Sequence, residues 1–248
     1  TAPGSEVRRT LELYALTREV APELPIAVTL SDYAGPADVA ALAPMVDVIM
    51  PLWPYREKLT RWTPKDYSPR DAFQTTILPM LENERRQRGL DIWSYHIDAG
   101  KTTSVLASGR AYPVIAASAG LSGISTWAYN VARGDTWDDT DGGLLDYILV
   151  YNGLEDHPLN RELNPANETI VPSIRWEAMR LGWQDAQIIL SSIAALRRKP
   201  DPELNRQLQA ILAPPRTWIY TPDAANFQDV HTLATDIRRL YAKLASGD

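Results

Sequence analysis

Gly120-Leu-Ser-Gly-Ile-Ser-Thr-Trp-Ala-Tyr-Asn130 is the stretch from which the fold is read. Two glycines precede a β-branched and aromatic run that closes on Trp127, Tyr129 and Asn130. The pattern predicts a strand whose tip carries stacking and hydrogen-bonding groups. Side chains alternate across a strand, so Trp127 and Tyr129 share one face while Thr126, Ala128 and Asn130 share the other. One aromatic pair more often fills a core than a binding site. Repetition weighs against the core here, because other strand patterns in the chain end in the same way.

Outward from that stretch, the chain alternates helix and strand. Ser5 to Val20 reads as a helix, with Ser5 as a cap and Val7, Leu11, Leu13, Leu16 and Val20 as its apolar positions. Pro25 to Leu30 reads as a buried strand followed by Ser31, Asp32 and Tyr33. A short helix from Pro36 to Ala43 leads to a strand from Val46 to Met50, whose exit carries Pro51, Trp53 and Tyr55. A helix from Pro69 to Arg88, interrupted near Pro79 and stopped by Gly89, precedes the strand Asp91-Ile-Trp-Ser-Tyr-His96. Residues 97 to 111 read as a loop and Pro113 to Ala119 as a helix of small residues.

Four helix–strand pairs in this order imply parallel strands joined by crossover helices, which is half of an eight-stranded barrel. In such barrels chemistry collects at the carboxyl ends of the strands. The residues placed there are Trp53, Trp93, Tyr95, His96, Trp127, Tyr129 and Asn130. Asp32 stands just past its strand and would either bind a hydroxyl or cap the next helix.

Beyond the strands, Arg133 to Arg161 is loop-rich. It carries Trp137, the acids Asp138, Asp139 and Asp141, and a strand-like run from Tyr147 to Tyr151. The acids match no cation-loop spacing and read as a solvated turn. Pro172 opens a helix to about Arg197, on which Trp176 and Trp183 share a face and read as core. Arg175 and Arg180 are expected to pair with acids that tie this helix down. Pro214 and Pro215 separate it from a last helix, Phe227 to Ala245.

Composition narrows the function. The chain has 248 residues, a net charge of -6 and no cysteine. The acidic balance argues against nucleic acid, no run is long and apolar enough to span a bilayer, and disulfides and thiolate metal sites are excluded. The basic knot Glu84-Arg-Arg-Gln-Arg88 reads as a helix C-terminus. With three histidines and none at ligand spacing, no metal or cofactor is expected. Eight Trp and eleven Tyr stand against two Phe, a bias towards rings with polar handles. Such rings suit sugars, whose axial C–H face stacks while hydroxyls at the edge take hydrogen bonds.

From Asp91 to Leu196 the sequence resembles the catalytic domain of the family 123 glycoside hydrolases. The resemblance rests on Ile92-Trp-Ser-Tyr-His96, on Gly123 to Asn130 with Trp137 downstream, and on the helix opening Pro172-Ser-Ile-Arg-Trp-Glu-Ala-Met-Arg-Leu-Gly-Trp-Gln-Asp185. In that opening Arg175, Arg180, Gly182 and Asp185 match, and Leu181 stands where Asp is common. The match implies a (β/α)8 barrel that removes N-acetylhexosamine residues with retention, the substrate's own acetamide attacking the anomeric carbon. An adjacent Asp-Glu pair would orient the acetamide and protonate the leaving oxygen.

No such pair stands at a strand end here; Glu155-Asp156 is reversed and in a loop. The expectation is therefore the second half of a (β/α)8 TIM-type barrel with extra C-terminal helices. Residues 1–200 would form the half-barrel and 201–248 a helical extension. The catalytic pair, and any export signal to a periplasm or beyond, would lie upstream of Thr1. The partners are then a glycan and the missing N-terminal half, without which the piece would be poorly stable or associate. Competing readings are a non-catalytic carbohydrate-binding or scaffold module and an unrelated α/β enzyme using His96 and Asp98.

Overall fold

A computed structural model describes residues 5–31, 34–52, 73–96, 104–126, 130–131, 147–151, 171–218 and 227–246. The chain is a mixed α/β protein that divides into two compact units. One comprises Thr1–Tyr95 and Leu121–Ser125, the other His96–Gly120 and Thr126–Asp248.

The first unit carries a four-stranded parallel sheet in the order β1 (Ala27–Leu30), β2 (Val48–Pro51), β3 (Asp91–His96) and β4 (Gly123–Thr126). Ala27 lies opposite Val48, and Val48 opposite Asp91. Alternation sorts the side chains. Leu30, Ile49, Pro51, Ile92 and Ser94 are buried, whereas Met50, Trp93 and Tyr95 on the other face are half-buried. The helices α2 (Pro36–Leu42) and α3 (Leu78–Arg88) add Val39, Leu42 and Leu81 to the unit's core. Gly35 precedes α2, where the Asp38 carboxylate accepts its backbone N–H at 3.0 Å. Gly89 ends α3 in the left-handed region with φ 77°, as its position in the sequence predicts.

Helix α1 (Ser5–Val20) is where the expected apolar face and the observed one differ. Val7, Leu11, Tyr14 and Arg18 are half-buried, whereas Leu13, Leu16 and Val20 are 60%, 55% and 74% exposed. The half-buried positions recur at three and four residues and define the packed side, which mixes apolar and polar residues. Leu13, Leu16 and Val20, with Leu24 beyond, form a second stripe open to solvent. The neighbouring edge of the sheet is open too. Val48 N–H bonds to Ile26 O at 3.1 Å and Leu52 N–H to Leu30 O at 2.7 Å, so the backbone groups of Ala27 and Thr29 point away from β2. Among the described residues no strand pairs with that edge.

Asp47 ties the amino ends of three strands together. Its carboxylate accepts the Ile26 N–H at 2.6 Å and the Arg18 guanidinium at 2.6 Å. Its own N–H bonds to Ile26 O, and its carbonyl accepts the Asp91 N–H. Partial desolvation pushes its carboxyl up, but the Ile26 hydrogen bond and Arg18 outweigh this and hold it below the ordinary value of 3.8.

Both helices that follow a π-turn carry proline at their second residue. The turn Phe73–Ile77 runs into α3 at Pro79, and Val105–Ala111 into α4 (Tyr112–Ser118) at Pro113. Proline has no N–H for the carbonyl four residues back and crowds it, and a wider turn relieves the clash. Residues 105–111 are thus helical, where the sequence reads as loop.

The second unit is built on α5 (Ile174–Arg198), with α4, α6 (Pro202–Trp218) and α7 (Phe227–Ser246). Ser173 caps α5: its Oγ accepts Arg175 N–H at 3.1 Å and Trp176 N–H at 3.2 Å and donates to Leu149 O at 2.5 Å. Leu149 splits the expected strand 147–151 in two. Tyr147–Ile148 (β6) pairs antiparallel with Asn130–Val131 (β5), and Val150–Tyr151 (β7) with Val171–Pro172 (β8). Leu149 and Met179 form a small core with Trp176 and Trp183 against it, as the spacing of the two indoles predicts.

Helix α6 falls within the expected helical extension, but Pro214 and Pro215 lie inside it instead of separating segments. Asp201 starts it, Oδ1 accepting Leu204 N–H at 2.8 Å. An interior proline costs about 3 kcal/mol, which the burial of Leu208 and Leu212 offsets at roughly 2–3 kcal/mol each. Arg216 Nε also holds the last turn to Ser118 O at 2.9 Å.

Asp185 is a tie on α5 that the sequence reading did not single out. Its fully buried carboxylate accepts Arg110 Nη2 at 3.2 Å on one oxygen and the Arg238 guanidinium on the other. Arg180 pairs instead with Glu177 on its own helix, in solvent. Gly182 permits the approach, since a Cβ there would lie 2.4 Å from Arg110 O, and Gly109 meets Ala178 in the same way at 2.8 Å. Asp185→Ala strands two cations and is expected to lower the unfolding free energy by about 3 kcal/mol or more in urea. Arg180→Ala is expected to cost under about 1 kcal/mol. A second expectation concerns pH. Asp47 has a depressed folded pKa, so its contribution is present above the unfolded value and lost as pH falls through the folded one. Thermal unfolding of wild type and Asp47→Asn from neutral pH to pH below 3.8 should show a gap that closes only in acid.

Candidate functional site

A parallel ladder brings the carboxyl ends of its strands to one edge, here Leu30, Pro51 and His96. The bridge between Leu52 and Tyr95 extends the ladder past β2. Trp93 and Tyr95, two residues apart on β3, share the half-buried face of the sheet; Tyr95 stands next to this edge and Trp93 in mid-strand. Ser94 between them is fully buried on the opposite face. Burial pushes the Tyr95 phenol above its ordinary pKa, so at neutral pH it is a neutral group able to donate and accept a hydrogen bond.

Trp93 is seated on β4. A Cβ placed on Gly123 would lie 2.5–2.6 Å from Cγ, Cδ2 and Cε2 of the indole, closer than any real side chain tolerates. Only glycine fits beneath the ring.

The remaining expected site residues fall in two groups. His96 is the last residue of β3, and Asn130 belongs to β5, which pairs with β6 and not with the four-stranded sheet. Of the strand read from Gly123 through Asn130, Gly123–Thr126 is β4 of that sheet and Asn130 opens β5. Asp32, Trp53, Trp127, Tyr129 and Trp137 lie outside the described residues.

Two clefts had no signal in the aromatic pattern. One, of about 510 Å3, is lined by Ile193, Leu196, Arg197, Asn205 and Leu208 where α5 meets α6. The other, also about 510 Å3, is lined by Ile211, Pro214, Leu233, Asp229 and Asp236 where α6 meets α7. Both depend on α6, and the clue that could have found it is the Asp201-Pro202-Glu203 start. Among the described residues no three His, Asp or Glu are grouped to hold a metal, and no helix is long and apolar enough to cross a membrane.

No protein-family model, curated protein or solved structure matches the chain.

The raised phenol has a readable signature. In an ultraviolet titration, Tyr95→Phe should remove a tyrosine that ionises above the ordinary value. Because the folded state favours the protonated form, the stability linked to Tyr95 is present below the unfolded pKa and lost as pH rises through the folded one.

Proposed function

We propose that the protein is carbohydrate-active and takes a pyranose on the indole of Trp93 beside the phenol of Tyr95. The observation that carries this reading is the pairing itself: two half-buried aromatic groups with polar handles on one face of a parallel sheet, running from mid-strand at Trp93 to the carboxyl end at Tyr95. A flat ring stacks on the C–H face of a sugar while the neutral phenol exchanges hydrogen bonds with hydroxyls. The resemblance to family 123 adds the chemistry, retaining hydrolysis of N-acetylhexosaminides with the substrate acetamide as nucleophile. In that reading these residues form half of a barrel, and the open edge of β1 is where the other half would join. The Asp-Glu pair then comes from polypeptide outside residues 1–248.

A second reading, a non-catalytic carbohydrate-binding module, is favoured by one fact. The described residues at the strand ends, Leu30-Ser31, Pro51-Leu52, Tyr95-His96 and Thr126, include no acid.

Calorimetry with methyl N-acetyl-β-galactosaminide tests the binding that both readings share. Trp93→Ala should lower affinity about tenfold or more, the loss of a stacking contact of about 1.4 kcal/mol. Undiminished affinity in a folded variant would count against both. Residues 1–248 should release no nitrophenol from the 4-nitrophenyl N-acetyl-β-galactosaminide, and turnover by this chain would place the acids within it.

A further inference from the structure

We infer that Gly123 is a positioning residue for sugar binding: it holds the Trp93 indole flat on β4, so that the opposite face of the ring is the stacking platform. The inference rests on the carbohydrate reading above and deepens it. The point where a Cβ of Gly123 would stand is 2.5 Å from Cδ2 of Trp93 and 2.6 Å from both Cε2 and Cγ. These are consecutive atoms of the pyrrole ring. Near-equal distances put that point over the flat of the ring, because at the rim the middle atom would be clearly the nearest. The indole therefore lies face-down on the backbone of β4.

Glycine weakens a strand, and inside one it commonly marks a close approach. Here the approach is by a ring that is itself only half-buried. With one face on backbone, the ring has a single face to offer, and it cannot tilt towards β4 without a clash. A platform fixed in this way binds the apolar face of a pyranose without first losing the freedom of a loose side chain. Any residue larger than glycine at position 123 would lift the ring and turn its face. A purely structural role competes, in which the indole merely covers the exposed backbone of an end strand.

The two roles separate by measurement. Binding of methyl N-acetyl-β-galactosaminide to residues 1–248 is compared for wild type, Trp93→Ala, Gly123→Ala and the double variant. Each single change should weaken binding about tenfold or more. The double variant should bind no more weakly than Trp93→Ala, because Gly123 acts only through the ring. Near-ultraviolet dichroism of Gly123→Ala should change while its far-ultraviolet spectrum stays. If wild type does not bind, or Trp93→Ala binds as wild type does, the carbohydrate reading falls and this inference with it. If Trp93→Ala loses binding and a folded Gly123→Ala keeps it, the inference alone is overturned and the structural role stands. Should Gly123→Ala not fold, wild type labelled with 5-fluorotryptophan decides. The Trp93 resonance, assigned by its absence from Trp93→Phe, should shift on adding the sugar, and an unmoved resonance overturns the platform.

Discussion

A single carboxylate sets the frame of the sheet. Asp47 takes the Ile26 N–H and the Arg18 guanidinium on its side chain, while its backbone bonds to Ile26 and Asp91. Parallel strands have no tight hairpin to fix their register, so something else must align their starts. Asp47 does so at the amino end, bonding to Asp91 two residues before Trp93 and four before Tyr95 on β3. A slip of one residue would exchange the two faces of β3 and bury the indole among Ile49 and Ile92. The face on which the candidate site lies is thus settled where the strands begin.

The helical unit solves a different problem with related means. Asp185 is wholly buried and carries charge, which is tolerable only because Arg110 and Arg238 approach from two elements. Gly182 and Gly109 let α5 and the turn before α4 come to backbone distance, which brings Arg110 within reach. Two glycines and one ion triad act as a unit, and the residues matched by the family resemblance at Gly182 and Asp185 serve packing here.

What the sequence discloses follows the strength of the local signal. The four parallel strands were legible because short β-branched runs end at proline, glycine or acidic punctuation, and Gly89 was legible as a stop because only glycine favours its φ. The packed face of α1 was not, since Leu13, Leu16 and Val20 carry the hydrophobicity while Thr10, Tyr14 and Arg18 share the half-buried side. The continuation of α6 through Pro214 and Pro215 was hidden, because their local penalty is overcome by tertiary burial that no local pattern reports. Of the candidate site, Trp93 and Tyr95 were legible from alternation. Gly123 read only as strand punctuation, because its importance depends on an indole 30 residues earlier in the chain.

The uncovered flank of the first unit also governs how the protein behaves in concentrated solution. Among the described residues, the outward backbone groups at Ala27 and Thr29 offer strand addition, and the stripe of Leu13, Leu16 and Val20 offers apolar contact, to another chain. Interleaved with the stripe are Glu12, Glu19 and Glu23, all exposed. These acids act as gatekeepers, since two such flanks that approach in register repel before they can zip. The repulsion is electrostatic and weakens as salt rises. Self-association through this stripe is therefore a property that ionic strength controls.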